Sequence, residues 1–382
     1  MFSQFCCTSL WFAGNGVMTD LISTFSLTES ALGHLTSAVQ FGFISGTLVF
    51  ALLTIADRFS PSKVFFFCAL IAAIFNLGTI IENNTFFSLI ILKYFTGFFL
   101  AGIYPVGMKI AADYFNKGLG KSLGFLIGAL VIGTAFPHLL KGYSFGLSWQ
   151  QIIVYISLLA LIGGLLMLVF VPNGPYRKRS QKIKLNAWSK NFKDPEFRSA
   201  AFGYFGHMWE LYAFWAFVPA ILKTYLHLHP NINFSISLVS FFVIGLGGLS
   251  CVIGGYLSQI YSAKKIAFFA LLLSCCCCLF SPILFSIDSP FVFISFLIFW
   301  GMVVIADSPL FSTLVAQNAS LEVRGTALTI VNCIGFAITI ISIQLINLLR
   351  GFTDSNSIYA ILAIGPIIGL WALKRKNKPN SL

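Results

Sequence analysis

Apolar residues in this chain do not alternate with polar ones but run on, in stretches of about 20 separated by short polar turns, and about 20 helical residues cross a hydrocarbon layer. Twelve such stretches begin near Phe5, Ser30, Lys63, Phe86, Leu119, Gln151, Arg198, Ser235, Lys265, Pro290, Arg324 and Ile358. Together they occupy about 240 positions, which leaves no room for a separate catalytic or nucleic-acid-binding domain. The pattern predicts an all-α membrane protein of twelve transmembrane helices. The longest polar stretch, Asn173 to Lys193, contains Gly174, Pro175, Trp188 and a basic cluster, and reads as a linker. It divides the chain into an N-terminal six-helix bundle at 1–172, a linker at 173–197, a C-terminal six-helix bundle at 198–373 and a basic tail at 374–382.

Two features recur at nearly one spacing. The turn Ala56-Asp57-Arg58-Phe59-Ser60 aligns with Ser258-Gln259-Ile260-Tyr261-Ser262 at an offset of 202, and Tyr104-Pro105 aligns with Ser308-Pro309 at 204. Matched offsets in different helix pairs point to two parallel repeats, hence two pseudo-symmetric bundles.

Composition reinforces this picture. The chain is 58% hydrophobic and 9% charged, where soluble domains carry about 25% charge. The net charge of +12 is explained by orientation in the membrane and not by a nucleic-acid partner. With the N-terminus inside, all of the 24 basic residues except Lys93, Lys141, Lys223 and Arg350 fall on the cytoplasmic side, so both termini are expected in the cytoplasm. Those four are expected on the far side or at its helix ends. The tail around Lys374, Arg375, Lys376 and Lys378 would attract anionic lipid.

The nine cysteines all lie in apolar segments, including the run Cys275 to Cys278, and read as small lipid-tolerant side chains and not as a disulfide or metal framework. No metal and no cofactor are expected. The N-terminus has no basic leader region, and its first apolar stretch holds Asn15 and Asp20, so it does not resemble a cleaved signal peptide.

The turn Ala56-Asp57-Arg58-Phe59-Ser60-Pro61-Ser62-Lys63 resembles the signature loop Gly-x-Leu-Ala-Asp-Arg-x-Gly-Arg-Lys of the major facilitator superfamily. The Asp-Arg pair is present, with Leu53 and Ser60 where that loop has glycines. Lys93-Tyr-Phe-Thr-Gly97 resembles a second motif of the family, with lysine for the usual arginine. The fifth span carries Gly124, Gly128, Gly133 and Pro137 but lacks the Gly-Pro step of the antiporters. Ser9-Leu-Trp-Phe-Ala-Gly-Asn15 and Gly206-His-Met-Trp-Glu210 are similar to bacterial facilitators of unassigned substrate. The resemblance implies a carrier of a small solute in a bacterial inner membrane, acting as a monomer. It also implies a conformational latch in which Asp57 faces the start of span eleven near Arg324 while Arg58 pairs with Asp113. The alternative is that these are solvated charges that set topology, or that Lys109 and Asp113, four apart, form a helix-surface pair.

Within the spans, ionisable groups are the candidates for chemistry. His207 and Glu210 stand about 14–18 Å into span seven at the helical rise and share one helix face. A charged, unpaired group at that depth costs about 2.5–3.5 kcal/mol or more. Glu210, modulated by His207, is a candidate for binding a proton or a cationic part of the substrate, with Tyr204, Trp209, Tyr212 and Trp215 as walls. The competing reading is an interhelical pair that only fixes packing. Asp20 lies about 24 Å from Gln4 at the helical rise, where it either lines the pathway or caps the outer end. Asn15 and Gln40 serve either the pathway or helix packing. Asp307, beside Ser308-Pro309, and Pro105 are candidate gate or hinge positions, since proline removes a backbone donor. A plain structural kink is the alternative.

The expected function is secondary active transport by alternating access, coupled to protons or a solute gradient. The alternatives are proton-coupled multidrug efflux or a non-transporting sensor on a carrier scaffold. An enzyme is not expected: His207-Met-Trp-Glu210 is not the His-Glu-x-x-His zinc pattern, and the chain has no Gly-rich phosphate loop.

Overall fold

The computed structural model describes residues 1–115, 119–143, 146–177, 191–320, 324–353 and 355–374. Most of the expected linker and all but the first residue of the basic tail lie outside them. Among the described residues the chain is helical, without strands. Among the described residues, eleven helices are long and apolar enough to cross a membrane: Ala31–Leu52, Pro61–Ile80, Phe86–Tyr114, Lys121–Tyr143, Trp149–Phe170, Pro195–Leu228, Ile236–Ile260, Ala263–Leu284, Pro290–Asn318, Gly325–Phe352 and Asn356–Lys374. These are spans 2 to 12. Span 1 is jointed, made of Phe2–Thr8, Ala13–Gly16 and Met18–Thr24.

The helix ends follow local chemistry. Thr85 with Ser88 and Ser148 with Gln151 form capping boxes, and Asp194 accepts from the amides of Glu196 and Phe197. Each cap satisfies orphan donors of a first turn. Pro61, Pro195 and Pro290 open their helices where a missing N–H costs nothing. Ser60 and Ser262, at the repeat offset, both stand at N-caps.

Spans 4 and 10 are broken at matched places. Span 4 is interrupted between Leu100 and Tyr104 and span 10 between Ala306 and Ser308, with Pro105 and Pro309 in the first turn of each second segment. Asp307 is the residue at the break of span 10, and its carbonyl accepts from the amides of Leu310 and Phe311.

Within the first half, span 2 packs on span 4 and span 3 on span 6. Within the second, span 7 packs on span 12. The halves meet through spans 2 and 11 and through spans 5 and 8. Small residues permit the close approaches: a Cβ on Gly97 would strike the Val39 backbone, so the glycine of the Lys93…Gly97 motif is the crossing point of spans 2 and 4. A Cβ on Gly128 would lie 2.9 Å from the Gly248 carbonyl oxygen, and one on Gly248 would lie 2.9 Å from that of Gly128, which seats span 5 against span 8. Alternate crossing puts Arg58, Lys63, Arg198 and Lys264 at one end of the bundle, hereafter the basic end.

Candidate functional site

The seam between the halves is filled with rings. Trp11, at the joint of span 1, has its indole 5.7 Å from the Tyr212 ring at 26° and 5.8 Å from the Phe336 ring at 25°. The same indole meets Phe43 of span 2 at 4.8 Å and Tyr104 of span 4 at 6.5 Å. Phe43 also meets Phe336 at 4.5 Å, and Tyr212 meets Trp215 at 5.5 Å. Every member is buried. Trp11, Phe43 and Tyr104 come from the first half and Tyr212, Trp215 and Phe336 from the second, so the cluster exists only while the halves are together. The indole N–H groups of Trp11 and Trp215 have no hydrogen-bond partner among the described residues.

An amide layer lies next to the rings. Asn15, one turn beyond Trp11, donates to the Thr36 hydroxyl at 2.9 Å, and Thr36 in turn donates to the Leu32 carbonyl at 2.7 Å. Gln40, four residues after Thr36 and three before Phe43, shares their face of span 2. It is wholly buried, and neither its Oε1 nor its Nε2 has a partner among the described residues.

Glu210, His207, Asp307 and Lys93 are each paired inside their own half, while the buried His138 of span 5 has no partner for its Nε2 among the described residues. Glu210 accepts from the Trp300 indole at 2.6 Å and from the Ser274 hydroxyl at 2.9 Å, which ties span 7 to spans 9 and 10. His207 is not the partner of Glu210: its Nδ1 lies 2.8 Å from Asp307 Oδ1 at the break of span 10, both side chains being essentially inaccessible. Helical geometry puts His207 and Glu210 near one face, yet the two turn to different neighbours. Trp209 faces away from the seam, donating to the Ile361 carbonyl at 3.3 Å. In the first half, Lys93 is not at a helix end on the far side. It is buried within span 4, donating to Asn76 Oδ1 at 3.1 Å, while Asn76 donates to the Ser157 hydroxyl at 2.9 Å. Spans 3 and 4 with 6 in one half, and 9 and 10 with 7 in the other, are therefore each held by a buried polar trio.

The family model of the Major Facilitator Superfamily matches residues 1–343. The chain belongs to the major facilitator superfamily. Among solved structures, a mutant form of the nucleoside transporter NupG is similar at 17% identity, with 97% of each chain covered and a TM-score of 0.71. A bacterial homolog of the human lysosomal transporter Spinster, inward-facing and unoccupied, is similar at 15% identity, covering 97% of this chain and 91% of its own, with a TM-score of 0.69. Its occupied form gives 13% identity and the same TM-score of 0.69. No curated protein matches the chain. The superfamily fold, twelve helices in two six-helix bundles, is thus the fold of this multi-pass membrane protein.

The superfamily's loop motif is present in altered pairing. Asp57 bonds Lys109 Nζ of span 4 at 2.5 Å. Arg58 does not meet Asp113: its Nε donates to the Thr54 hydroxyl at 3.1 Å. Thr54 has φ +51°, the left-handed turn that a glycine would adopt without strain. Arg177, past the end of span 6, donates to the Asp57 and Phe59 carbonyls at 3.1 and 2.8 Å. Asp57 and the start of span 11 line one 160 Å³ cavity, with Thr54, Pro105, Gly325 and Thr326 on its wall. The Arg324 side chain lies outside the described residues.

At the opposite end the halves are tied directly. Gln344 Nε2 of span 11 donates to the Gly33 carbonyl at 3.1 Å and to the Ser37 hydroxyl at 2.7 Å, and Asn347 donates to the Ser30 carbonyl at 3.1 Å. Lys223 meets Glu29 at 3.2 Å on the exposed rim. Asp20 pairs with Lys141 at 2.8 Å, at the far ends of spans 1 and 5 and away from the ring cluster. Gln344 and Asn347 carry no signal in the sequence, because their neutral amides gain meaning only from the helix that faces them.

Proposed function

We propose that this chain is a secondary active transporter that moves a small solute by alternating access, with its basic end in the cytoplasm of a bacterial cell and both termini there. The observation that carries this reading is the Trp11–Tyr212–Phe336 stack, built half by half across the seam. Rocking of the bundles exposes its ring faces first to one side of the membrane and then to the other. The ties at Gln344 and Asn347 hold the far end closed, and the cavity beside Asp57 is where the basic end begins to part. The membership and neighbours support a transporter and not an enzyme. The nucleoside cargo of one neighbour fits a seam made of rings and amides.

Coupling is assigned to His207 and Asp307. Glu210 has both oxygens occupied by Trp300 and Ser274, whereas Asp307 Oδ2 and His207 Nε2 have no hydrogen-bond partner among the described residues. The pair also sits where the helix is broken, so that protonating Asp307 would alter a joint.

The test compares solutes accumulated by cells with and without the protein, with and without a protonophore, followed by counterflow of the accumulated solute in proteoliposomes. Accumulation that the protonophore abolishes, with counterflow that survives it, supports the reading. Specific binding without counterflow would identify a sensor instead.

A further inference from the structure

We infer that the seam takes a neutral, planar heterocycle that carries a hydrogen-bond donor beside an acceptor, the edge of a lactam, stacked against Trp11 and read by Gln40. The inference rests on the carrier reading and names the chemical class of its substrate.

The shape follows from the rings. Trp11 lies nearly parallel to both Tyr212 and Phe336, and these partners belong to the other half of the protein. When the halves part, the indole loses a flat neighbour and so do the two rings it covered. A planar ring restores contact on both of its own faces at once. A saturated ring meets the same surfaces edge-on and gains less.

Neutrality follows from the charges. The ring cluster contains no charged side chain: Glu210 is held by Trp300 and Ser274, Lys93 by Asn76, and His207 faces Asp307 at the break of span 10, each within its own half. A charged ligand stacked in the cluster would meet no counter-ion there, and an unpaired charge at this depth is strongly disfavoured.

The edge pattern follows from Gln40. Two wholly buried glutamines, Gln4 and Gln40, have neither amide end bonded among the described residues, where buried polar groups almost always find partners, and Gln40 is the one on the ring-bearing face of span 2. One amide offers N–H and C=O side by side. Its best complement is another cis-amide, whose N–H donates to Oε1 while its carbonyl accepts from Nε2. The match holds for either assignment of the oxygen and nitrogen ends. Gln40 stands one turn from Phe43, so a ring stacked in the cluster brings its edge to that amide. The unpartnered indole N–H groups of Trp11 and Trp215 are further donors for a second carbonyl.

The experiment measures binding of 2-quinolone, N-methyl-2-quinolone and 2-piperidone to the full-length protein in nanodiscs, by calorimetry and by shift of the melting temperature. 2-Quinolone is flat and carries the lactam edge; its N-methyl derivative keeps the flat surface without the donor; 2-piperidone keeps the edge without the flat ring. We expect 2-quinolone to bind about tenfold or more tightly than either of the others, the loss expected when a buried hydrogen bond goes unmade. In Gln40→Leu the two quinolones should bind alike and the protein should melt no earlier, because Gln40 has no hydrogen-bond partner among the described residues. Equal binding of 2-quinolone and N-methyl-2-quinolone to the native chain overturns the lactam assignment, as does equal binding of 2-piperidone. Failure of all three to bind overturns it too. The first comparison needs no variant, so a Gln40→Leu chain that misfolds leaves the inference exposed to refutation. Binding is read without a gradient, so a sensor would give the expected result while failing counterflow, and a carrier of some other cargo would show counterflow while failing here.

Discussion

The Trp300 indole N–H donates to Glu210 Oε1 at 2.6 Å, joining span 10 to span 7 inside the second half, while Ser274 holds the other oxygen from span 9. A carboxylate bonded in this way pins three helices to one another and does not stand open to a passing solute. Trp300→Phe keeps the ring but removes the donor, and should destabilise the purified protein by about 1–3 kcal/mol, the cost of leaving a buried polar group unsatisfied. Glu210→Gln retains an acceptor for the indole and should cost less. Unfolding curves of both variants in detergent check the ordering; a Trp300→Phe protein as stable as the native chain would remove the pin.

Asp307→Asn and His207→Gln should uncouple the carrier. Counterflow of the accumulated solute should survive in both, while uphill accumulation driven by a pH gradient should fall to the level reached without the gradient. Flux is measured in proteoliposomes with and without the gradient. Accumulation unchanged in Asp307→Asn would place coupling elsewhere.

Asp57 and Lys109 form the ion pair of the loop, so Asp57→Ala should lower transport several-fold with no loss of protein from the membrane, and the exchanged pair Asp57→Lys with Lys109→Asp should recover part of it. Arg58→Ala, which removes only a bond to Thr54, should matter less. Initial rates normalised to immunoblotted protein decide the order of the three.

Gly128→Ala would bring a Cβ to 2.9 Å from the Gly248 carbonyl, and spans 5 and 8 must separate to admit it. The expected cost is about 1–3 kcal/mol, seen as a lower melting temperature together with slower counterflow. Native values for both would show that the contact yields freely.

The lengths of the apolar runs are enough to read the twelve crossings, since lipid thickness sets a length that each run must meet, and Pro105 and Pro309 mark both broken spans. The joint in span 1 is not visible in the same way: Ser9, Gly14, Asn15 and Gly16 tolerate a continuous helix and a turned one alike. Within the site, Tyr212, Trp215, Asn15 and Gln40 stand out by chemistry, but Phe43 and Phe336 cannot, being two among 42 phenylalanines. Pairings between spans are the hardest to read. His207 and Glu210 share a helix face, and only the helices opposite decide that one meets Asp307 and the other Trp300. Lys93 defeats the sequence reading for a related reason: counting charges by side assumes that a lysine seeks water, and Asn76 gives this one a place inside.

The joint in span 1 makes the two halves mechanically unequal. Span 7 is one helix from Pro195 to Leu228, its internal proline, Pro219, lying beyond the ring contacts, and it carries Tyr212 as a stiff beam, whereas Trp11 is mounted on a strip of short turns with long backbone bonds, such as Leu10 to Cys7 at 3.4 Å. Motion at the seam should therefore begin on the Trp11 side, with the beam as the fixed reference. Deuterium uptake at residues 9–17 that runs ahead of uptake at 204–215 is the signature such a lopsided machine would leave.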